Sequence, residues 1–227
     1  MNKKIFVIGC SYSHHDVYVE PNETWPSLLQ ENTGYTIINC SLPGSSNFSY
    51  FYRLQEIEKE YGKPDKVIVQ LTSLHRLFMH LKNEPIHNII QDYPDREYYY
   101  DLYKAFHDMG YFVVPQTMFE YRKLKILNEK YNMKPKYLKW IWKYFATDAN
   151  LEWMLYKETK LIDLYYDDVT FFSWNYKYKL DVKKYLGSLK YELLKDKFDD
   201  YSYIPKKDDH FGIEGHKILS EIIQEHV

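Results

Sequence analysis

The sequence predicts an α/β protein in which helices cover both faces of a parallel sheet. Short apolar runs rich in branched side chains recur at 4–8, 35–39 and 66–71, segments with helical spacing separate them, and small or polar residues follow each run. A strand buried on both faces reads as a continuous apolar run. Strand, helix, strand, helix, strand is the order that right-handed crossovers produce. The 227 residues suit one domain, read as 1–227, with an aromatic-rich helical insertion at 84–168.

Taken in order, Ile5-Phe6-Val7-Ile8 forms the first strand and leaves Ser11 on the loop at its carboxyl end. Thr24 caps a helix that tolerates Pro26 in its first turn, presents Leu28 and Leu29, and stops at Gly34. Tyr35 to Asn39 is the second strand. Asn47 or Ser46 caps the next helix, whose Phe51, Leu54, Ile57 and Tyr61 share a face before Gly62 and Pro64 end it. Lys66 to Leu71 is the third strand. From about Glu84 the chain turns rich in Tyr, Trp and Lys, with helical spacing at 97–108, 119–131 and 151–164 and a short strand at 111–114. This stretch is expected to form a mostly helical cap beside the strand ends. Val169 to Trp174 is a further strand, and Ile218, Leu219, Ile222 and Ile223 make 213–224 an amphipathic closing helix.

Composition narrows the function. Thirty basic residues stand against 32 acidic ones with no basic block, so nucleic acid is not an expected partner. No run approaches the roughly 18 apolar residues of a membrane helix. The apolar run before Cys10 falls short of the about 7 to 15 residues of a signal segment. No membrane partner is therefore expected, and the chain is expected in the cytoplasm. Cys10 and Cys40, both at strand ends, read as small buried thiols rather than a disulfide framework. His14-His15-Asp16 lacks the spaced partners of a metal site, so neither a metal nor an organic cofactor is expected. His216 reads as a structural histidine, and nothing in the sequence sets the oligomeric state.

Three separated blocks carry the chemistry: Gly9-Cys10-Ser11-Tyr12-Ser13, Leu42-Pro43-Gly44-Ser45-Ser46-Asn47 and Asp208-Asp209-His210. A serine beyond a strand end can attack a carbonyl, a glycine turn brings backbone N–H groups close to an oxyanion, and an acid-histidine pair supplies an oriented general base. The blocks and their order resemble the SGNH/GDSL hydrolase superfamily in its bacterial or phage form, over roughly the first 80 residues and the last 20.

The resemblance implies a three-layer flavodoxin-like parallel sheet with helices on both faces and a helical insertion. It also implies Ser11 as nucleophile, His210 as general base, and the N–H groups of Ser11 and Gly44 as oxyanion donors. Cys10 stands where the family has aspartate. Gln70-Leu71-Thr72-Ser73 stands where it has Gly-x-Asn-Asp, which leaves Thr72, Ser73 or Asn47 to replace the missing donor. Lys207 occupies the family's acid position, so Asp208 takes the orienting role, with Asp209 as its neighbour. His75 and Arg76 follow the third strand and are candidates for substrate binding. The expected activity is a serine esterase acting on a small acyl ester, such as acetyl, of a carbohydrate or metabolite. The alternatives are an acyltransferase or thioesterase on the same scaffold and a catalytically silent binding protein.

Overall fold

The computed structural model describes residues 3–14, 19–42, 45–74, 76–80, 111–115, 140–174, 176–189 and 211–227. Five strands, β1 (Lys4–Ile8), β2 (Thr36–Asn39), β3 (Lys66–Leu71), β6 (Val169–Ser173) and β7 (Tyr185–Ser188), pair in parallel in the order β2-β1-β3-β6-β7. This is the flavodoxin-like strand order, and its switch point lies between β1 and β3. Two further strands, β4 (Arg76–His80) and β5 (Tyr111–Pro115), form a separate antiparallel pair.

Side-chain alternation sorts the core into two layers. Phe6 and Ile8 of β1, Val67, Val69 and Leu71 of β3, and Val169 and Phe171 of β6 face α2 (Tyr50–Tyr61) and α3 (Asp148–Tyr165), meeting Leu54, Ile57, Leu151, Leu155 and Ile162. Ile5, Val7, Ile68 and Phe172 point the other way, onto Trp25 and Leu29 of α1 (Trp25–Thr33) and Leu219 and Ile223 of α4 (Ile213–Gln224). Each fully buried aliphatic side chain of this kind contributes about 1.5–3 kcal/mol. No helix among the described residues is long and apolar enough to cross a membrane.

Helix ends show where local signals gave way to tertiary contacts. Gly34 closes α1 in the left-handed region (φ 69°), as its position after the last apolar residue predicts. Thr24, expected to cap the same helix, instead turns its hydroxyl back to the Pro21 carbonyl at 3.0 Å, and the Trp25 N–H is taken by Nδ1 of His216 at 3.1 Å. The distant imidazole reaches this first helical N–H because α1 and α4 pack side by side. Ser46 caps a short 3₁₀ turn, Asn47–Ser49, and α2 begins only at Tyr50.

The stretch from 84 to 168 differs in part from its expected form. Its spacing at 151–164 is a helix, but α3 lies in the layer beside α2 rather than as a cap over the strand ends. Tyr111–Pro115 is a strand, and its partner β4 has only three apolar residues between Arg76 and His80, too short a run to mark a strand in the sequence. The helical spacings at 97–108 and 119–131 lie outside the described residues. β7 is equally hard to read from sequence. It has four half-exposed residues, and Gly187 at φ 83° accompanies a break in its register with β6, so no apolar run announces it.

Between α3 and α2, Glu158 accepts the Phe51 N–H at 2.7 Å. Burial pushes its carboxyl up to about 7, against the pull of the Phe51 and Tyr50 N–H groups. An acid whose folded value lies above its unfolded value contributes stability that is present when it is protonated and lost as pH rises between the two values. Glu158→Gln keeps an acceptor for Phe51 without the charge. Urea titrations from pH 4.5 to 8 should show wild-type stability falling relative to Glu158→Gln as pH rises to about 7. Parallel curves would show that the carboxylate is solvated enough to ionise freely.

Candidate active site

At the carboxyl end of β1 the backbone enters a tight 3₁₀ turn, Ser11–Ser13, closed by Ser13 N–H to the Cys10 carbonyl at 3.0 Å and His14 N–H to the Ser11 carbonyl at 3.3 Å. Ser11 is buried with 6% exposure. The turn is held from the neighbouring strand, where Oε1 of Gln70 accepts the Cys10 N–H at 3.1 Å and the Ser13 hydroxyl at 3.0 Å. Trp25 Nε1 donates to the same Ser13 hydroxyl at 3.0 Å, and Asn39 donates to the Ser13 carbonyl at 2.7 Å. The Ser11 turn is thus tied to β2, β3 and α1.

The chain after β2 continues alongside the β1 loop, with Cys40 N–H on the Val7 carbonyl at 2.7 Å and Leu42 N–H on the Gly9 carbonyl at 3.2 Å. Two arginines grip the segment that leads from there into α2. Arg53 of α2, 1% exposed, donates to the Ser45 hydroxyl at 2.6 Å and to the Cys40 carbonyl. Arg76 donates to the Ser45 carbonyl at 3.3 Å, while Ser46 donates its hydroxyl to the Arg76 carbonyl. These bonds flank Pro43 and Gly44, which lie outside the described residues.

Beyond β3 the Asn47 carboxamide, considered above as an oxyanion donor, is 1% exposed and bonded both ways to Thr72: Nδ2 to the carbonyl at 2.9 Å and Oδ1 from the N–H at 2.8 Å. Tyr178 also donates to the Thr72 carbonyl. Thr72 is buried and Ser73 is partly exposed. Ser11, Asn47, Thr72, Ser73 and Arg76 therefore sit at the carboxyl edge of β1 and β3, at or beside the switch point. His75, Asp208, Asp209 and His210 lie outside the described residues.

An aromatic cluster closes the same edge. The Tyr12 ring lies 5.6 Å from that of Phe211 and 5.1 Å from that of Trp174 between centroids, and Phe211 lies 5.9 Å from the His216 ring. Gly215 makes room for Phe211, since a Cβ there would stand 2.5 Å from the ring. The residue after Ser11 and the residue after His210 are therefore in contact. His216 is 2% exposed and serves as the N–H acceptor for α1, in keeping with its structural reading.

Both cysteines are buried and free. Cys10 packs its sulfur 3.4 Å from the Gln70 amide. Burial pushes the Cys40 thiol up to about 12 despite nearby Arg53, which keeps it un-ionised. Among the described residues no three potential metal ligands come together.

Sequence reading missed Gln70 and Arg53. The signal for Gln70 was present: a carboxamide inside the apolar run Lys66–Leu71 must find partners once buried, and those partners mark the site. Arg53 sits at a helical position indistinguishable from a solvated one until the α2 face is placed.

Asn47→Ala removes both side-chain bonds to Thr72; the buried Thr72 N–H loses its acceptor, while the carbonyl keeps Tyr178. The expected loss is about 1–3 kcal/mol in urea unfolding, chiefly from the one buried N–H left without this partner. A loss under about 1 kcal/mol would mean that Tyr178 and solvent hold Thr72 equally well.

No family model and no curated protein sequence matches the chain. Among solved structures it is similar to a psychrotrophic esterase from Pseudoalteromonas sp., at 12% identity and a TM-score of 0.40, over 99% of this chain and 96% of that one. It is similar to a lipolytic protein of the G-D-S-L family from Desulfitobacterium hafniense, at 13% identity and a TM-score of 0.41, over 100% of both chains. It is also similar to an acetyl xylan esterase from Geobacillus stearothermophilus, at 12% identity and a TM-score of 0.47, over 98% of this chain and 93% of that one.

Proposed function

We propose that this chain is a serine ester hydrolase of SGNH type, acting on a small acyl ester, acetyl in the first instance, of a carbohydrate or related metabolite. The observation that carries the reading is the contact between Tyr12 and Phe211, which joins the peptide neighbours of Ser11 and His210 at the switch point of a parallel sheet. Ligands collect at that crevice in open α/β sheets.

In this reading the Ser11 hydroxyl attacks the ester carbonyl while His210 accepts its proton and then returns it to the leaving alcohol. Water repeats the cycle on the acyl-serine. Asp208 orients the imidazole and stabilises its charged form. The oxyanion is met by N–H groups of Ser11 and Gly44, and peptide geometry supports the first. A trans peptide sets N–H and C=O antiparallel. The Cys10 carbonyl is drawn into the turn by Ser13 N–H, so the Ser11 N–H is directed out of it. Thr72, Ser73 or Asn47 stands in for the missing third donor, and Arg76, with His75, is assigned to the substrate's polar groups. The chemistry requires no metal or organic cofactor.

A panel of acyl esters assayed with wild type and Ser11→Ala tests the reading, together with fluorophosphonate labelling located by peptide mass. Turnover should fall at least about 1000-fold in Ser11→Ala, since removing one member of such a triad disables the unit. Equal rates, or a label on another residue, would sink it. Transfer to added alcohols in place of hydrolysis identifies an acyltransferase. Inert wild type identifies the silent binding protein that the missing Gly-x-Asn-Asp donor favours.

Asp208→Asn should lower turnover strongly while the protein stays folded, because a neutral amide favours the wrong imidazole tautomer. Asp209→Asn should do much less. The reverse order of losses moves the orienting role to Asp209.

A further inference from the structure

We infer that Gln70 is a positioning residue that aims the Ser11 turn, a role that rests on the reading of Ser11 as the nucleophile. Gln70 is fully buried, and strand alternation sets it on the α1 and α4 side of the sheet, beneath the turn. Its amide orientation follows from its partners. Nε2 donates to the Leu71 carbonyl at 3.1 Å, so Oε1 is the atom that meets the Cys10 N–H and the Ser13 hydroxyl.

This one oxygen controls where Ser11 points. Cys10 is held by its N–H on Gln70 and by its carbonyl on Ser13 N–H, which leaves little rotation about the bonds between them. Those rotations are the ones that would swing the Ser11 N–H and its Cα–Cβ bond. The Ser13 hydroxyl donates to the same oxygen from the far side of the turn, so Ser11 lies between two anchors on a single group.

Gly9 is the counterpart of this arrangement. A Cβ on Gly9 would stand 2.7 Å from Gln70 Oε1 and 2.9 Å from the Ser13 hydroxyl. The glycine before the turn is needed for this space, since Gly9 is not among the glycines with positive φ. Gly9→Ala should therefore dislodge the Gln70 amide while leaving Gln70 in the chain.

The test compares Gln70→Met, Gly9→Ala and Ser13→Ala by ester kinetics and by iodoacetamide labelling of Cys10 in the folded protein, with Cys40 as the internal control. Cys10 reports on the turn because its sulfur packs on the Gln70 amide, whereas Cys40 bonds to the Ile38 carbonyl. Misplacing a reacting group by about 1 Å costs on the order of 100-fold. Gln70→Met and Gly9→Ala should lose about 10- to 100-fold in kcat with KM within about 3-fold, and Cys10 should label faster while Cys40 does not. Ser13→Ala keeps the Cys10 N–H bond to Gln70 but also takes the acceptor from Trp25 Nε1; it should show the same pattern at smaller size and keeps the test alive if the others fail to fold. Combined with Gln70→Met it should add little to the loss in kcat, though the Trp25 bond is lost in addition.

Unchanged kcat and Cys10 labelling in folded variants overturn the proposal and leave the Ser11 reading intact. Equal acceleration at Cys10 and Cys40 also overturns it, as a global loss of stability. Wild type that turns over no ester, with Cys10 still exposed selectively by Gln70→Met, removes the nucleophile reading and leaves the hold of Gln70 on the turn.

Discussion

The structure depends on β1 being buried on every side. Ile5, Phe6, Val7 and Ile8 are without measurable exposure, flanked by parallel β2 and β3 and covered above and below by helices. A strand so enclosed has no water for its polar groups at the point where pairing stops. The chain leaving it must find hydrogen bonds in the ends of neighbouring elements. The bonds of Cys10 and Ser13 to Gln70, and of Leu42 to Gly9, answer that requirement and fix the Ser11 turn as a by-product.

The same logic extends around the crevice. Thr72, just past the end of β3, is satisfied by Asn47 from the segment leading into α2, and Cys40, just past the end of β2, by Arg53 from α2 itself. Each strand end is therefore secured by a residue from another element, so the loops that border the switch point are positioned by the sheet rather than by their own turn propensities. A site that must hold reacting groups to a fraction of an ångström gains from such cross-bracing.

Among the described residues of this region charge is placed sparingly. Gln70, Asn47, Ser13 and Ser46 do most of the bonding as neutral groups, and the buried cation Arg53 lies against a carbonyl and a hydroxyl on the turn it holds. Neutral partners avoid the large desolvation cost of buried carboxylates.

The sequence by itself determined the parallel sheet, because β1 and β3 are short runs dominated by apolar residues on both faces and the helices between them carry stops at Gly34 and Gly62 that act within a few residues. It also singled out Ser11, since a serine just past a buried strand is a local feature. Tertiary structure alone decided how α1 begins, where His216 accepts the Trp25 N–H from 191 residues away, and the place of α3 in the sheet-covering layer. It alone made Gln70 and Arg53 part of the site and committed Asn47 to Thr72. Those roles depend on which side chain faces which strand end, and periodicity reports a face without naming the group that will meet it.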